Sequence, residues 1–87
     1  MKPDLYVVAR IVKTLRESNG IKKTNLATAS GLAYDKMVRY LEWMVEKGFV
    51  ETDSEGFIYL TKKGEEAYEK LVAWILEHIG RLDFPRF

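Results

Sequence analysis

The stretch IKKTNLATASGLAYDKMVRYLEWMVEKGFV, residues 21–50, decides how the rest of the chain is read, because it parses into two short helices separated by one glycine and stopped by another. Thr24 is a candidate N-cap through its side-chain oxygen, and Leu26 and Ala29 then fall on one face of the first helix. Ser30-Gly31 ends that helix, and Leu32 is an apolar anchor inside the turn. A second helix from about Ala33 carries Met37, Tyr40, Leu41 and Met44 at helical spacing, which predicts a common buried face. Gly48 can take the left-handed conformation that a helix end commonly needs, so the chain turns directly into the strand-like Phe49-Val50. Helix, tight turn, helix, glycine and strand is the helix-turn-helix order.

On the N-terminal side, Pro3-Asp4 can open a helix whose apolar stripe is Leu5, Val8, Val12 and Leu15, widened by Ile11. Lys13, Arg16 and Glu17 take its polar side and Ser18-Asn19-Gly20 ends it, with Ile21 as a possible short strand. On the C-terminal side, Phe49-Val50-Glu51-Thr52 and Phe57-Ile58-Tyr59-Leu60 flank the turn cluster Asp53-Ser54-Glu55-Gly56, which reads as a hairpin. A helix-turn-helix followed by a hairpin is the winged arrangement. Here the tip is acidic, and phosphates would repel Glu51, Asp53 and Glu55.

Thr61 is a candidate N-cap and Glu65 stands near a capping-box position, opening a last helix from about Lys62 to Ile79 or Arg81. Its stripe is Tyr68, Leu71, Val72, Ile75, Ile79 and Leu82, broadened by Trp74 and Leu76. A helix of about 18 to 20 residues spans roughly 27 to 30 Å, more than a small winged domain needs to cover its core. A second copy of the chain is the economical cover for the far end, with Leu71, Trp74, Ile75, His78, Ile79, Leu82 and Phe84 as the candidate dimer interface. The expected fold class is therefore α+β, a three-helix core with a hairpin wing over residues 1–61 and a dimerisation helix and tail over residues 62–87.

Composition narrows the function. With 87 residues the chain holds one such domain, and its 47% hydrophobic content is ample for a core. There is no cysteine and one histidine, so no Cys/His zinc pattern or disulfide framework can be written. Net charge is only +1, but it is unevenly placed. Residues 1–50 carry nine Lys/Arg against five Asp/Glu, a balance of +4, and residues 51–87 carry five against eight, a balance of −3. The basic half is the one that would face phosphates. No basic region followed by an apolar run opens the chain, so it is expected to be cytoplasmic, nucleoid-associated if it binds DNA, with no membrane partner. Neither a Gly-rich phosphate loop nor a nucleophile frame occurs, so catalysis, a cofactor and a metal are not expected, and no small-molecule ligand is evident.

A helix that enters a major groove reads with its N-terminal and outward side chains, here Tyr34, Asp35, Lys36 and Arg39, with Trp43 further along. Arg39 can donate two bonds to a guanine edge or clamp a phosphate; its ordinary alternative is a surface ion pair with Asp35 or Glu42. Tyr34 can meet a phosphate or a thymine methyl, or lie half-buried beside the turn. Lys22, Lys23 and Thr24 stand at the start of the first motif helix, where phosphate contact competes with plain solvation. Lys62 and Lys63 are candidates for further backbone contacts, offset by Glu65 and Glu66. For Trp43 and Trp74 the packing role is favoured over base stacking, and His78 is read as buried or interfacial.

Ile21-Lys22-Lys23-Thr24, Ser30-Gly31-Leu32-Ala33-Tyr34, Arg39-Tyr40-Leu41, Glu46-Lys47-Gly48-Phe49-Val50 and Leu60-Thr61-Lys62-Lys63-Gly64 together resemble the small archaeal winged-helix DNA-binding proteins. The resemblance covers about residues 5–75. It implies binding to double-stranded DNA as a transcriptional regulator or chromatin-associated protein, and a homodimer formed through a long C-terminal helix paired antiparallel with its copy. The final helix here is shorter than in the coiled-coil members, and the wing is more acidic. The rival expectation is a winged-helix protein-interaction module without DNA binding, because a fold alone does not fix function.

Overall fold

Residues 1–78 are described by the computed structural model of the chain. Their order is α1 (Leu5–Arg16), α2 (Lys23–Ser30), α3 (Tyr34–Glu46), β1 (Val50–Thr52), β2 (Ile58–Leu60) and α4 (Lys62–His78). This is the α+β winged order expected from the sequence.

Helix α1 starts where the Asp4 carboxylate accepts the Tyr6 N–H at 2.8 Å, capping an otherwise orphan donor. It buries Val7, Ala9, Ile11, Val12 and Leu15, while Leu5 is left 53% exposed. Ile11, Val12 and Leu15 of the expected stripe are buried and Val8 packs against the core, but Leu5 is not part of it and Val7 and Ala9 are. The doublets Val7-Val8 and Ile11-Val12 fit two helical phases, and packing against the rest of the core selects the one that turns Val7 and Ile11 inward.

Helix α2 is not capped by Thr24, contrary to expectation. Ile21 forms an antiparallel bridge with Ile58, its N–H donating to the Ile58 carbonyl at 3.3 Å and its carbonyl accepting from the Ile58 N–H at 2.8 Å. The chain thus leaves an extended segment at Lys22, and Thr24 already lies inside the helix with its carbonyl accepting from the Thr28 hydroxyl. The inward face of α2 is Leu26, Ala27 and Ser30, and Ala29 is exposed. Ser30 is buried because its hydroxyl donates to the Leu26 carbonyl at 2.6 Å, which removes the cost of an unsatisfied polar group.

Both helices of the motif end in the same way. The N–H of Leu32 reaches the Ala27 carbonyl and that of Gly31 the Thr28 carbonyl; likewise Phe49 reaches Met44 and Gly48 reaches Val45. These paired bonds require a left-handed residue, and Gly31 (φ 70°) and Gly48 (φ 78°) supply it. Between them α3 buries Met37, Tyr40, Leu41 and Met44, the four positions read from its spacing.

The wing pairs β1 and β2 antiparallel in the register Val50↔Leu60, Glu51↔Tyr59 and Thr52↔Ile58. Ile58 is wholly buried beside Ile11, Leu26, Met37 and Met44, so the hairpin closes the helical core instead of hanging from it. At the tip, the Asp53 carboxylate accepts the N–H groups of Glu55 at 2.9 Å and Phe57 at 3.0 Å. The acidic residue at this position shapes the turn.

Thr61 caps α4 as expected, accepting the Gly64 N–H at 3.0 Å. A capping box does not form, because N3 is Gly64 and not Glu65. Glu65 instead stands 3.7 Å from the Arg16 guanidinium. Gly64 is buried, and a Cβ there would collide with the Phe49 carbonyl oxygen, so α4 crosses the α3–β1 junction at a distance only glycine permits. Beyond Tyr68, which packs on the core, Leu71 and Val72 are half-buried and Trp74 and Leu76 are 54% and 50% exposed.

Candidate nucleic-acid interface

Helix α3 and the turns that flank it are fastened by three hydrogen bonds to other elements. Ahead of it, the Arg10 guanidinium donates to the Gly31 carbonyl at 3.1 Å, tying α1 to the turn of the motif. At its middle, the Tyr40 hydroxyl oxygen accepts the Asp4 N–H at 2.9 Å. At its end, the Thr61 hydroxyl donates to the Gly48 carbonyl at 2.6 Å. None of these three anchors uses the outward face.

That outward face presents Tyr34, Asp35, Lys36 and Arg39, all exposed. Among the described residues Arg39 makes no ion pair with Asp35 or Glu42, so its guanidinium keeps its donors for another partner. Tyr34 is 49% exposed at the first position of α3, which leaves its hydroxyl accessible. Trp43 is half-buried, its ring edge-on to Phe49 at 5.8 Å between centroids, which is the packing role favoured for it. Asp35, Arg39, Glu42 and Glu46 recur at helical spacing along the outermost line of α3, so Arg39 is the one cation on it and its second half is wholly acidic.

Lys22, Lys23 and Thr24 are exposed at the start of α2. The Lys22 ammonium sits 5.1 Å from the Phe57 ring centroid, a cation–π contact that holds it between α2 and the tip end of the wing. Lys63 is similarly placed 5.8 Å over the Phe49 ring, and Lys62 is exposed. On the wing, Tyr59 lies with its hydroxyl 3.3 Å from the Asp53 carboxylate. Desolvation, and then the charges of Asp53 and Glu55, raise its pKa above the ordinary phenol value.

Of the expected dimer residues, Leu71 is half-buried and Trp74 and His78 are exposed. His78 is neither buried nor isolated: its ring stacks on Trp74 at 4.6 Å and its Nδ1 lies 2.9 Å from the Trp74 carbonyl oxygen. One helical turn separates the two residues, and both are exposed among the described residues. Ile79, Leu82 and Phe84, and the side chain of Ile75, lie outside the described residues. Arg10 and Asp53 carry structural roles that periodicity did not reveal; the Asp-Ser-Glu-Gly order around Asp53 was the available signal for the second.

Among the described residues no helix is long and apolar enough to cross a membrane, and no group of three or more His, Asp or Glu side chains could hold a metal ion. A three-helix core with an anchored second motif helix and a hairpin closing the sheet side defines a winged helix-turn-helix protein. The winged helix-turn-helix family matches residues 4–78, and the chain belongs to that family. Among solved structures it is similar to the MarR family transcriptional regulator SPO1453 from Silicibacter pomeroyi DSS-3, with a TM-score of 0.68 and 26% sequence identity. That alignment covers 87% of this chain and 57% of the regulator. No curated protein matches the chain.

Proposed function

We propose that the protein binds double-stranded DNA as a transcriptional regulator, with α3 in the major groove. The observation that carries this reading is Arg39, exposed and with no carboxylate partner among the described residues, on a helix whose opposite face is locked into the core. Family membership and the similarity to a MarR family regulator support it. In this arrangement Tyr34, Asp35, Lys36 and Arg39 face base edges and nearby phosphates, and Lys22, Lys23 and Thr24 meet the backbone from the start of α2. A chromatin-associated role uses the same contacts with less dependence on sequence.

The protein acts as a homodimer in this proposal, through the α4 face bearing Leu71, Trp74 and His78. The 54% exposure of Trp74, three residues beyond the half-buried Leu71 on the same side of α4, supports it, since exposed apolar surface of this kind favours cover. Two copies would read two half-sites. A second reading, a protein-interaction module, draws on Glu42, Glu46 and the 47% exposed Val45 on the second half of α3.

Fluorescence-anisotropy titration of mixed-sequence duplex at two salt concentrations, with the solution mass measured alongside, separates them. Affinity falling steeply as salt rises, from a dimer, is the expected result. Absence of binding at low salt transfers the assignment to the interaction module, and a monomer removes the role given to α4.

A further inference from the structure

Met1, 65% exposed, lines one side of a groove whose other residues, Arg39, Glu42, Trp43, Glu46 and Lys47, belong to α3 and its C-cap. The bond from the Asp4 N–H to Tyr40 fixes the segment that precedes α1 in that place. Lys36, Arg39 and Trp43 on α3 and its C-cap Lys47 follow one another at steps of three, four and four, which makes them a single stripe, and the last three line the groove with residue 1. Lys2 adds its charge from the neighbouring segment, and all four cations are exposed.

We infer that this flank is a track for the DNA sugar-phosphate backbone, with Lys2 and Lys47 as phosphate contacts that extend the interface beyond the first half of α3. The inference rests on the DNA-binding reading above. Its electrostatics favour an anion despite the two carboxylates in the groove and Asp35 beside Lys36: Lys2, Lys36, Arg39 and Lys47 against Asp35, Glu42 and Glu46 is four minus three, or +1. Glu42 and Glu46 share the outermost line of the helix with Asp35 and Arg39, whereas Lys36, Trp43 and Lys47 are turned further toward the flank, so the cations extend beyond the line that carries the carboxylates. A backbone running along the flank meets the cations and the Trp43 ring edge. The track also explains how a chain of net charge +1 presents a local positive surface.

The test is the salt dependence of duplex binding by Lys2→Ala/Lys47→Ala, beside wild type and Lys70→Ala, with circular dichroism confirming the fold of each. Each phosphate contact contributes about 0.9 to the slope of log affinity against log salt. Loss of two contacts should flatten the slope by about 1.8, so that the affinity ratio between 50 and 200 mM salt shrinks by about twelvefold. Lys2→Arg/Lys47→Arg should restore the wild-type slope, and Lys70→Ala, which removes a charge on α4, should leave it in place. An unchanged slope in the double alanine variant, or an equal change in Lys70→Ala, overturns the track while the DNA-binding reading stands. Failure of wild type itself to bind duplex at low salt overturns that reading, and the track with it.

Discussion

Replacing Thr61 with alanine removes two hydrogen bonds from one hydroxyl, the one accepted from the Gly64 N–H at 3.0 Å and the one donated to the Gly48 carbonyl at 2.6 Å. The first is an N-cap, whose loss costs about 1 kcal/mol. The second is an ordinary bond in a half-buried place and is also worth about 1 kcal/mol. The sum, about 2 kcal/mol, is a substantial share of the stability of a domain this small. For a domain of this length it corresponds to a fall in Tm of roughly 10 °C. Urea unfolding at equilibrium, followed by tryptophan fluorescence and by far-UV circular dichroism, gives the value directly. Thr61→Val keeps the branched shape and should lose the same amount, whereas Thr61→Ser keeps the hydroxyl and should stay within about 0.5 kcal/mol of wild type. If the alanine and valine variants both lie within about 0.5 kcal/mol of wild type, the hydroxyl does not join α4 to the end of α3 as described.

Gly64→Ala should destabilise by about 1 to 3 kcal/mol, the reverse of the gain of about 1 kcal/mol that alanine brings to an open helix position, because its Cβ meets the Phe49 carbonyl; thermal unfolding gives the sign. Arg39→Ala should weaken binding to a preferred duplex by about 1 to 3 kcal/mol, roughly five- to 150-fold, with Tm within about 2 °C of wild type, as read by anisotropy and thermal unfolding. Tyr59 has a raised folded-state pKa, so its neutral form is favoured by folding; that contribution is present below the unfolded phenol pKa and is lost as pH rises through the folded one. Ultraviolet titration of tyrosinate in wild type and Asp53→Asn should show one group moving back toward the ordinary phenol range when the Asp53 charge is removed.

The residues most legible in the sequence were those whose role repeats along the chain. Met37, Tyr40, Leu41 and Met44 share a face under any helical reading of residues 34–46, and all four are buried. Gly31 and Gly48 were legible because few other residues accept the left-handed turn that ends a helix this way. What periodicity does not fix is phase: α1 could turn either Leu5 or Val7 inward, and the choice belongs to the surfaces it packs against. Thr24 illustrates a related limit, since its capping potential was real but the Ile21–Ile58 bridge moved the helix start upstream of it. The glycine of Leu60-Thr61-Lys62-Lys63-Gly64 was visible as part of a family resemblance, and only the approach of the Phe49 carbonyl shows why the position excludes a side chain. For the candidate site, sequence spacing identified the exposed face of α3. The segment around Met1 beside that face is a tertiary neighbour with no signature in its own residues.

The anchoring of α3 bears on how changes at its surface are to be interpreted. Arg10 holds the preceding turn, Tyr40 ties its middle to the start of α1, and Thr61 ties its end to the start of α4, while four apolar side chains fill the core beneath. A helix fixed at three points loses little further backbone freedom on binding, so an outward contact does not have to offset a large ordering cost. Its exposed side chains can then change affinity without changing the fold, which is the condition for attributing a binding defect in an Arg39, Lys36 or Lys47 variant to a lost contact. The anchors themselves act on the other variable. Weakening Thr61 or Tyr40 leaves the reading face chemically intact and loosens its support, so such variants should lose stability first and binding only in proportion to the ordering they no longer provide.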